Sequence, residues 1–81
     1  MVDKLRVYCH PGSAPAYGGQ RVFYSRRASG PYYLWRFEEE LGRWHGSRVH
    51  LLLPTLRALS VANWKIVPPS LQEKLDEHYL P

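Results

Sequence analysis

Arginine and tyrosine side chains recur through the first half of the chain in a pattern that suits an anionic partner. The guanidinium group binds phosphate and carboxylate groups through paired donors, and aromatic rings offer faces on which nucleic-acid bases stack. From Lys4 to Arg36 the sequence contains no Asp or Glu. The side chains expected to form a candidate basic-aromatic surface are Arg21, Tyr24, Arg26, Arg27, Tyr32, Arg36, Arg43 and His45.

Three bulky aromatic residues alternate with these basic positions along the same segment, and they admit two interpretations. If Trp35, Phe37 and Trp44 are exposed, the surface can stack on bases or dock on a protein. If they are buried, the arginines form an ordinary solvated face. A small domain needs large side chains inside to gain enough buried area, so the sequence favours the buried arrangement.

Residues that could carry catalysis or bind metal lack the arrangement that such chemistry requires. Cys9 and His10 are neighbours on a predicted strand, so their side chains point to opposite faces and are poorly placed to share a proton. The four histidines follow no zinc-ligand spacing, and Glu38–Glu40 fall at a predicted hairpin tip where solvated charges are normal. We therefore predict no catalytic residue, no metal and no cofactor. An enzymatic alternative, in which the chain is a small enzyme or completes another protein's site, would rely on Cys9, His10 and the loop at 11–20.

Length and composition set the limits of the fold. With 81 residues the sequence predicts one domain spanning 1–81, too short for a TIM barrel or a complete dinucleotide-binding fold. Eleven basic residues against seven acidic ones give a net charge of +4, and the single cysteine excludes an intramolecular disulfide. No signal-peptide pattern or apolar run of about 20 residues is present, so we expect a cytoplasmic protein without membrane association.

A β-hairpin over 32–49 is the central predicted element. Residues 32–38 and 43–49 form its strands, residues 39–42 its loop, and Gly42 supplies the positive φ that closes such a loop. A helix through 37–41 is the alternative, which Gly42 and the flanking aromatic residues disfavour. The predicted cross-strand pairs are Glu38–Arg43, Phe37–Trp44, Trp35–Gly46 and Tyr33–Arg48.

The rest of the chain predicts two further strands before the hairpin, one strand after it, and two helices. Alternating apolar residues predict a strand at 5–9, and β-prone residues predict another at 21–26. Between them, Gly and Pro predict a flexible loop at 11–20. Pro54 begins a short helix near 54–60, and 64–67 forms a closing strand.

A C-terminal helix is predicted from a capping box and an apolar face. Ser70 would be the N-cap with Glu73 bonding back to it, and Leu71, Leu75 and Tyr79 fall on one side. The core candidates are Leu5, Val7, Trp35, Phe37, Trp44, Leu56, Leu59, Trp64, Ile66, Leu71, Leu75 and Tyr79.

Together these elements predict an α+β fold, with an antiparallel sheet of three to five strands and both helices on one face. The absence of a catalytic constellation and the basic surface predict a small non-catalytic binding module. A protein partner is the first expectation. The alternative is RNA or single-stranded DNA bound by the candidate basic-aromatic surface.

Overall fold

The protein is an α+β fold in which five antiparallel strands and two helices follow one another along the chain. A computed structural model describes residues 4–9 and 21–80, so His10 and the predicted loop at 11–20 lie outside the described residues. The elements are β1 Leu5–Cys9, β2 Val22–Arg27, β3 Tyr32–Glu38, β4 Arg43–Val49, α1 Leu53–Ala58, β5 Ser60–Val61 and α2 Pro69–His78. The predicted fold class is confirmed.

The strands lie in one sheet in the order β4-β3-β2-β1-β5. Strands β1 to β4 form a meander, in which each strand pairs antiparallel with the next one along the chain. The short strand β5 returns to pair with β1. The long strand β4 is therefore one edge of the sheet, and the two-residue strand β5 is the other.

The hairpin of β3 and β4 has the predicted register. Every predicted pair is present, including Phe37 opposite Trp44 and Trp35 opposite Gly46. Gly42 has φ +62° and its N–H donates to the Glu38 carbonyl at 2.7 Å, closing the four-residue loop. The alternative helix through 37–41 does not form.

The core lies between α2 and one face of the sheet, which we call the helix face. Because alternate strand residues point to the same side, β1 to β4 each contribute buried residues to this face, and Leu71 and Leu75 of α2 pack against them. Trp35 and Trp44 keep only 4% and 3% of their surface exposed, as the buried interpretation predicts. The strand residues of this core are Val7, Cys9, Phe23, Trp35 and Trp44.

The predicted closing strand at 64–67 is wrong. The Asn63 side chain accepts a hydrogen bond from the Lys65 N–H at 2.9 Å, and its carbonyl accepts one from the Ile66 N–H at 2.9 Å. This local turn chemistry competes with strand pairing. The sheet is closed instead by β5, and Trp64, expected in the core, is 55% exposed.

The predicted capping box at Ser70 is also wrong, although the C-terminal helix itself is confirmed. Helix α2 begins at Pro69 with Pro68 as its N-cap, because proline suits the first helical position. Ser70 lies inside the helix, and its hydroxyl accepts a hydrogen bond from Trp44 Nε1 at 2.9 Å.

Helix α1 begins at Leu53 and ends at Ala58, close to the predicted bounds, but it contributes less to the core than expected. Leu56 and Leu59 were expected to be buried, and both remain partly exposed. Within residues 4–9 and 21–80, neither helix has the length and apolarity needed to cross a bilayer.

Candidate binding face of the sheet

The side of the sheet opposite α2, which we call the basic face, is set by strand alternation. Residues that alternate with the core positions point to this side. The register of the strands then places directly opposed residues of neighbouring strands in rows across this face. Its residues are Arg6, Tyr8, Val22, Tyr24, Arg26, Tyr32, Leu34, Arg36, Glu38, Arg43, His45, Ser47 and Val49.

Six of the eight predicted surface residues lie on the basic face. They come from three adjacent strands, so the sheet brings them onto one side of the molecule. These residues are Tyr24, Arg26, Tyr32, Arg36, Arg43 and His45.

The other two predicted residues, Arg21 and Arg27, lie on the side of the helix face. The Arg21 guanidinium carbon is 4.8 Å from the centre of the Phe37 ring, and its Nε is 3.1 Å from Glu39 Oε1. Arg27 Nη1 donates to the Tyr79 carbonyl at 2.8 Å, next to the end of α2. Both positions differ by an odd number of residues from Arg26, so alternation directs them to the opposite side.

Arg6 and Tyr8 of β1 belong to the basic face and are absent from the predicted surface. The signal was present in the sequence, because Leu5, Val7 and Cys9 alternate with them and point inward. What the sequence could not supply was the pairing of β1 with β2, which places Arg6 opposite Arg26 and Tyr8 opposite Tyr24.

The pair Arg6 and Arg26 puts two like charges directly opposite each other. Such a cross-strand pair is destabilising in an isolated sheet. Arg26 is held in place, since its Nε donates to the Gly30 carbonyl at 3.0 Å and its Nη1 to the Tyr32 hydroxyl at 3.2 Å. Its guanidinium carbon lies 4.9 Å from the centre of the Tyr32 ring. The result is a fixed cation on an aromatic ring, with the exposed Arg6 beside it.

Three tyrosines lie next to this arginine pair: Tyr8 and Tyr24 face each other across β1 and β2, and Tyr32 lies beside Arg26. Tyr24 is 6% exposed and forms the floor, whereas Tyr8 and Tyr32 remain partly exposed. The rings of Tyr8 and Tyr32 are 6.1 Å apart between centres and inclined by 51°.

Toward the hairpin loop, the basic face carries its remaining cations. Arg36 is exposed and lies opposite His45, and Arg43 Nε lies 3.4 Å from Glu38 Oε1. The strand positions of the face thus hold four arginines and one histidine against a single carboxylate.

On the helix face, the polar atoms of the core bond to one another. The buried Ser25 hydroxyl accepts a hydrogen bond from Trp35 Nε1 at 2.8 Å and lies 2.8 Å from the Tyr79 hydroxyl. Burial, as the main cause, raises the pKa of Tyr79 above its usual value of 10.0, while the hydrogen bond between Ser25 and Tyr79 opposes that shift. These contacts join β2, β3 and the end of α2.

Shallow clefts lie at the margins of the sheet. One, of about 360 Å³, runs between β4 and α2. Another, of about 380 Å³, lies where Arg26 and Tyr32 approach Arg48, His50 and Leu56. Among the residues described, no three His, Cys, Asp or Glu side chains come together as metal ligands would, and Cys9 is a buried free thiol.

Comparison with known proteins gave no match to this chain among family models, curated proteins or solved structures.

Proposed function

We propose that the protein is a non-catalytic binding module whose basic face binds single-stranded nucleic acid. The observation that carries this proposal is the directly opposed pair Arg6 and Arg26, next to the partly exposed rings of Tyr8 and Tyr32. A phosphate between the two guanidinium groups would convert their repulsion into attraction. Binding of an anionic ligand would therefore offset the energetic cost of placing Arg6 opposite Arg26.

The tyrosines favour a ligand that also carries flat rings. Base–aromatic stacking contributes about 1–3 kcal/mol per base and tolerates any sequence. Tyr32 is already fixed by Arg26, so its ring is oriented before a ligand arrives. In a single strand the bases are free to reach such rings, whereas a duplex keeps them stacked inside.

A protein partner on this same face is the competing proposal, and it is the first expectation from the sequence. The large aromatic residues that would anchor such a partner, Trp35 and Trp44, point to the opposite side and are buried. The basic face presents its arginines and partly exposed tyrosines, beside Glu38, Ser47 and the aliphatic side chains of Val22, Leu34 and Val49. An acidic protein surface would satisfy the cations and leave the stacking positions unused.

The test is a titration of the protein into a fluorescent ten-nucleotide oligo(dT) or oligo(U), followed by anisotropy at several salt concentrations. The variant Arg6→Ala/Arg26→Ala removes the opposed pair. The matched control Arg57→Ala/Lys65→Ala removes two exposed charges from α1 and the 64–67 turn. We expect the first variant to weaken binding about tenfold or more and to lower the salt slope, and the control to change affinity less than about threefold.

Stacking is tested separately with Tyr8→Leu, which leaves every charge in place. We expect it to weaken oligonucleotide binding by about tenfold with an unchanged salt slope. Thermal melting of each variant shows whether the fold is retained. Equal losses in the opposed-pair variant and its control would overturn the proposal, as would an oligonucleotide affinity that does not change with salt.

A further inference from the structure

Strand β4 presents free backbone groups along one edge of the sheet. The Phe37 N–H donates to the Arg21 carbonyl at 2.9 Å, so the backbone groups of Phe37 point to β2. In an antiparallel pair, bonding alternates between successive residue pairs. The pair Phe37–Trp44 is therefore a non-hydrogen-bonded pair of the hairpin. The pairs Trp35–Gly46 and Tyr33–Arg48 are non-hydrogen-bonded for the same reason. The N–H and C=O groups of Trp44, Gly46 and Arg48 consequently point out of the sheet.

This edge faces a cleft that is open to an extended chain. The cleft of about 360 Å³ runs between β4 and α2, and Gly46 and Lys74 lie on its two sides. The opposite edge, β5, has only two residues. Of the two sheet edges in the described part of the chain, β4 is thus the one with length enough to pair with another strand.

Four of the eight residues that line the cleft are basic or histidine. Arg43 and His45 come from β4, and Lys74 and His78 from α2. Glu77 is the acidic residue among the lining side chains, and its carboxylate lies 4.0 Å from Lys74 Nζ. Two cationic residues, Arg43 and Lys74, stand against the one carboxylate of Glu77, so the lining is complementary to a segment that carries carboxylates.

We propose that the β4 edge binds an extended acidic peptide segment of a protein partner, which adds to the sheet as a further strand beside α2. Main-chain hydrogen bonds to the free groups of β4 supply affinity, and acidic side chains that reach toward Lys74 supply selectivity. This site is separate from the stacking positions of the basic face, because it uses backbone groups of the edge strand.

A second copy of this chain is a poorer occupant of the same edge. Two β4 strands paired antiparallel about Gly46 would bring Arg43, His45 and Arg48 of both copies into one ladder. Charged edge residues of this kind oppose association of like edges. An acidic segment meets no such repulsion.

The test uses a fluorescent eight-residue peptide of alternating Thr and Glu, followed by anisotropy and by amide shifts in NMR spectra. The informative protein variant is Arg48→Pro, which removes an outward N–H and leaves the bonds to β3 in place. Arg48→Ala is the matched control, since it removes the same charge and keeps the amide. We expect Arg48→Pro to bind the peptide about tenfold more weakly than Arg48→Ala.

A second measurement does not depend on the variant folding. The peptide is synthesised with every second amide N-methylated, in both possible phases. Strand addition predicts that one phase abolishes binding to the wild-type protein while the other preserves it. The amide signals of Trp44, Gly46 and Arg48 should shift with the active peptide, and those of Arg6 and Arg26 should not.

Three outcomes would overturn the proposal. Equal binding of both methylated phases would mean that charge alone attracts the peptide. Equal binding by a Thr-Lys peptide would remove the acidic specificity. Dimerisation in sedimentation, abolished by Arg48→Pro and accompanied by no peptide binding, would assign the edge to a second copy. None of these results depends on the oligonucleotide titration, so the two proposals fail separately.

Discussion

The hydroxyl of Ser25 lies fully buried between two side chains that come from different elements. It accepts a hydrogen bond from Trp35 Nε1 and shares another with the Tyr79 hydroxyl. Replacement by alanine leaves a buried indole N–H without its partner, so we expect Ser25→Ala to lower the free energy of unfolding by about 1–3 kcal/mol. Urea denaturation measures this difference. Ser47→Ala, a partly exposed position on the basic face, should change it by less than about 0.5 kcal/mol. A Ser25→Ala variant as stable as that control would contradict the prediction.

Ala28 occupies a backbone conformation that glycine adopts more easily. It has φ +51° in the turn between β2 and β3, where an L-residue costs about 1–2 kcal/mol. Glycine removes that strain from the folded state. It also raises the conformational entropy of the unfolded chain, which cancels part of the gain in stability. We expect Ala28→Gly to raise the free energy of unfolding by up to about 1 kcal/mol, measured by urea denaturation. Ala58→Gly, at the end of α1, should lower it, and a loss in both variants would refute the argument.

At the scale of elements, Gly46 is the position of β4 over which the Trp35 ring of β3 packs. A Cβ atom there would lie 2.5 to 2.7 Å from three atoms of the Trp35 ring. Because Trp35 is buried and bonded to Ser25, its ring has little freedom to move away. We expect Gly46→Ala to destabilise the protein by about 1–3 kcal/mol, as overpacking does.

The cause of that loss can be separated from general strand effects. In the background of Trp35→Phe the smaller ring leaves room for the new methyl group. The two substitutions should therefore cost less together than the sum of their separate costs, which a double-mutant cycle in urea measures. Additive effects would show that the indole is not the obstacle.

The same contact explains why the hairpin could be predicted from the sequence. Bare Gly46 opposite Trp35, Phe37 opposite Trp44 and Gly42 in the loop all demand one register, so each local preference supports the others. The helix α2 was predictable for the same reason, from the spacing of Leu71 and Leu75. Its start was missed because Ser70 resembles an N-cap, while the preceding prolines position the first turn.

The segment 60–67 shows where local patterns fail. Trp64, Ile66 and Val67 have strand propensity, yet Asn63 bonds to the following backbone and turns the chain. Ser60 and Val61 pair with β1 because the sheet brings that edge within reach, which is a property of the assembled fold. The prediction of the candidate basic-aromatic surface was limited in the same way. Alternation determined the face of each residue, but the neighbours of Arg6 depended on long-range pairing.

At the scale of the whole molecule, the net charge of +4 is distributed unevenly between two surfaces. The basic face and the β4 cleft both carry more cationic than acidic residues, and α2 carries exposed acidic residues outside the cleft, Glu73 and Asp76. Clustered charge attracts anionic partners over longer distances than single contacts do. We therefore expect the association rate with an oligonucleotide, measured by stopped-flow fluorescence, to fall steeply with salt, and the dissociation rate to change less. An association rate insensitive to salt would count against a clustered field.

The contact of Tyr79, at the end of α2, with the sheet also makes the stability of the whole molecule depend on pH in the alkaline range. Burial raises the pKa of the Tyr79 hydroxyl in the folded protein above its usual value of 10.0. Between these two pKa values the folded state binds more protons than the unfolded state, so the free energy of unfolding falls as pH rises. The stabilisation is complete below about pH 10 and is lost as pH passes through the raised pKa.

The phenylalanine variant isolates this contribution from the other groups that titrate at high pH. Tyr79→Phe cannot ionise at that position, while every lysine and the remaining tyrosines stay in place. We expect the difference in free energy of unfolding between wild type and Tyr79→Phe to be constant from pH 7 to about pH 9 and to shift against the wild type above pH 10. Urea denaturation at a series of pH values measures it. A difference that stays constant through the alkaline range would mean that burial does not hold the Tyr79 hydroxyl in its protonated form.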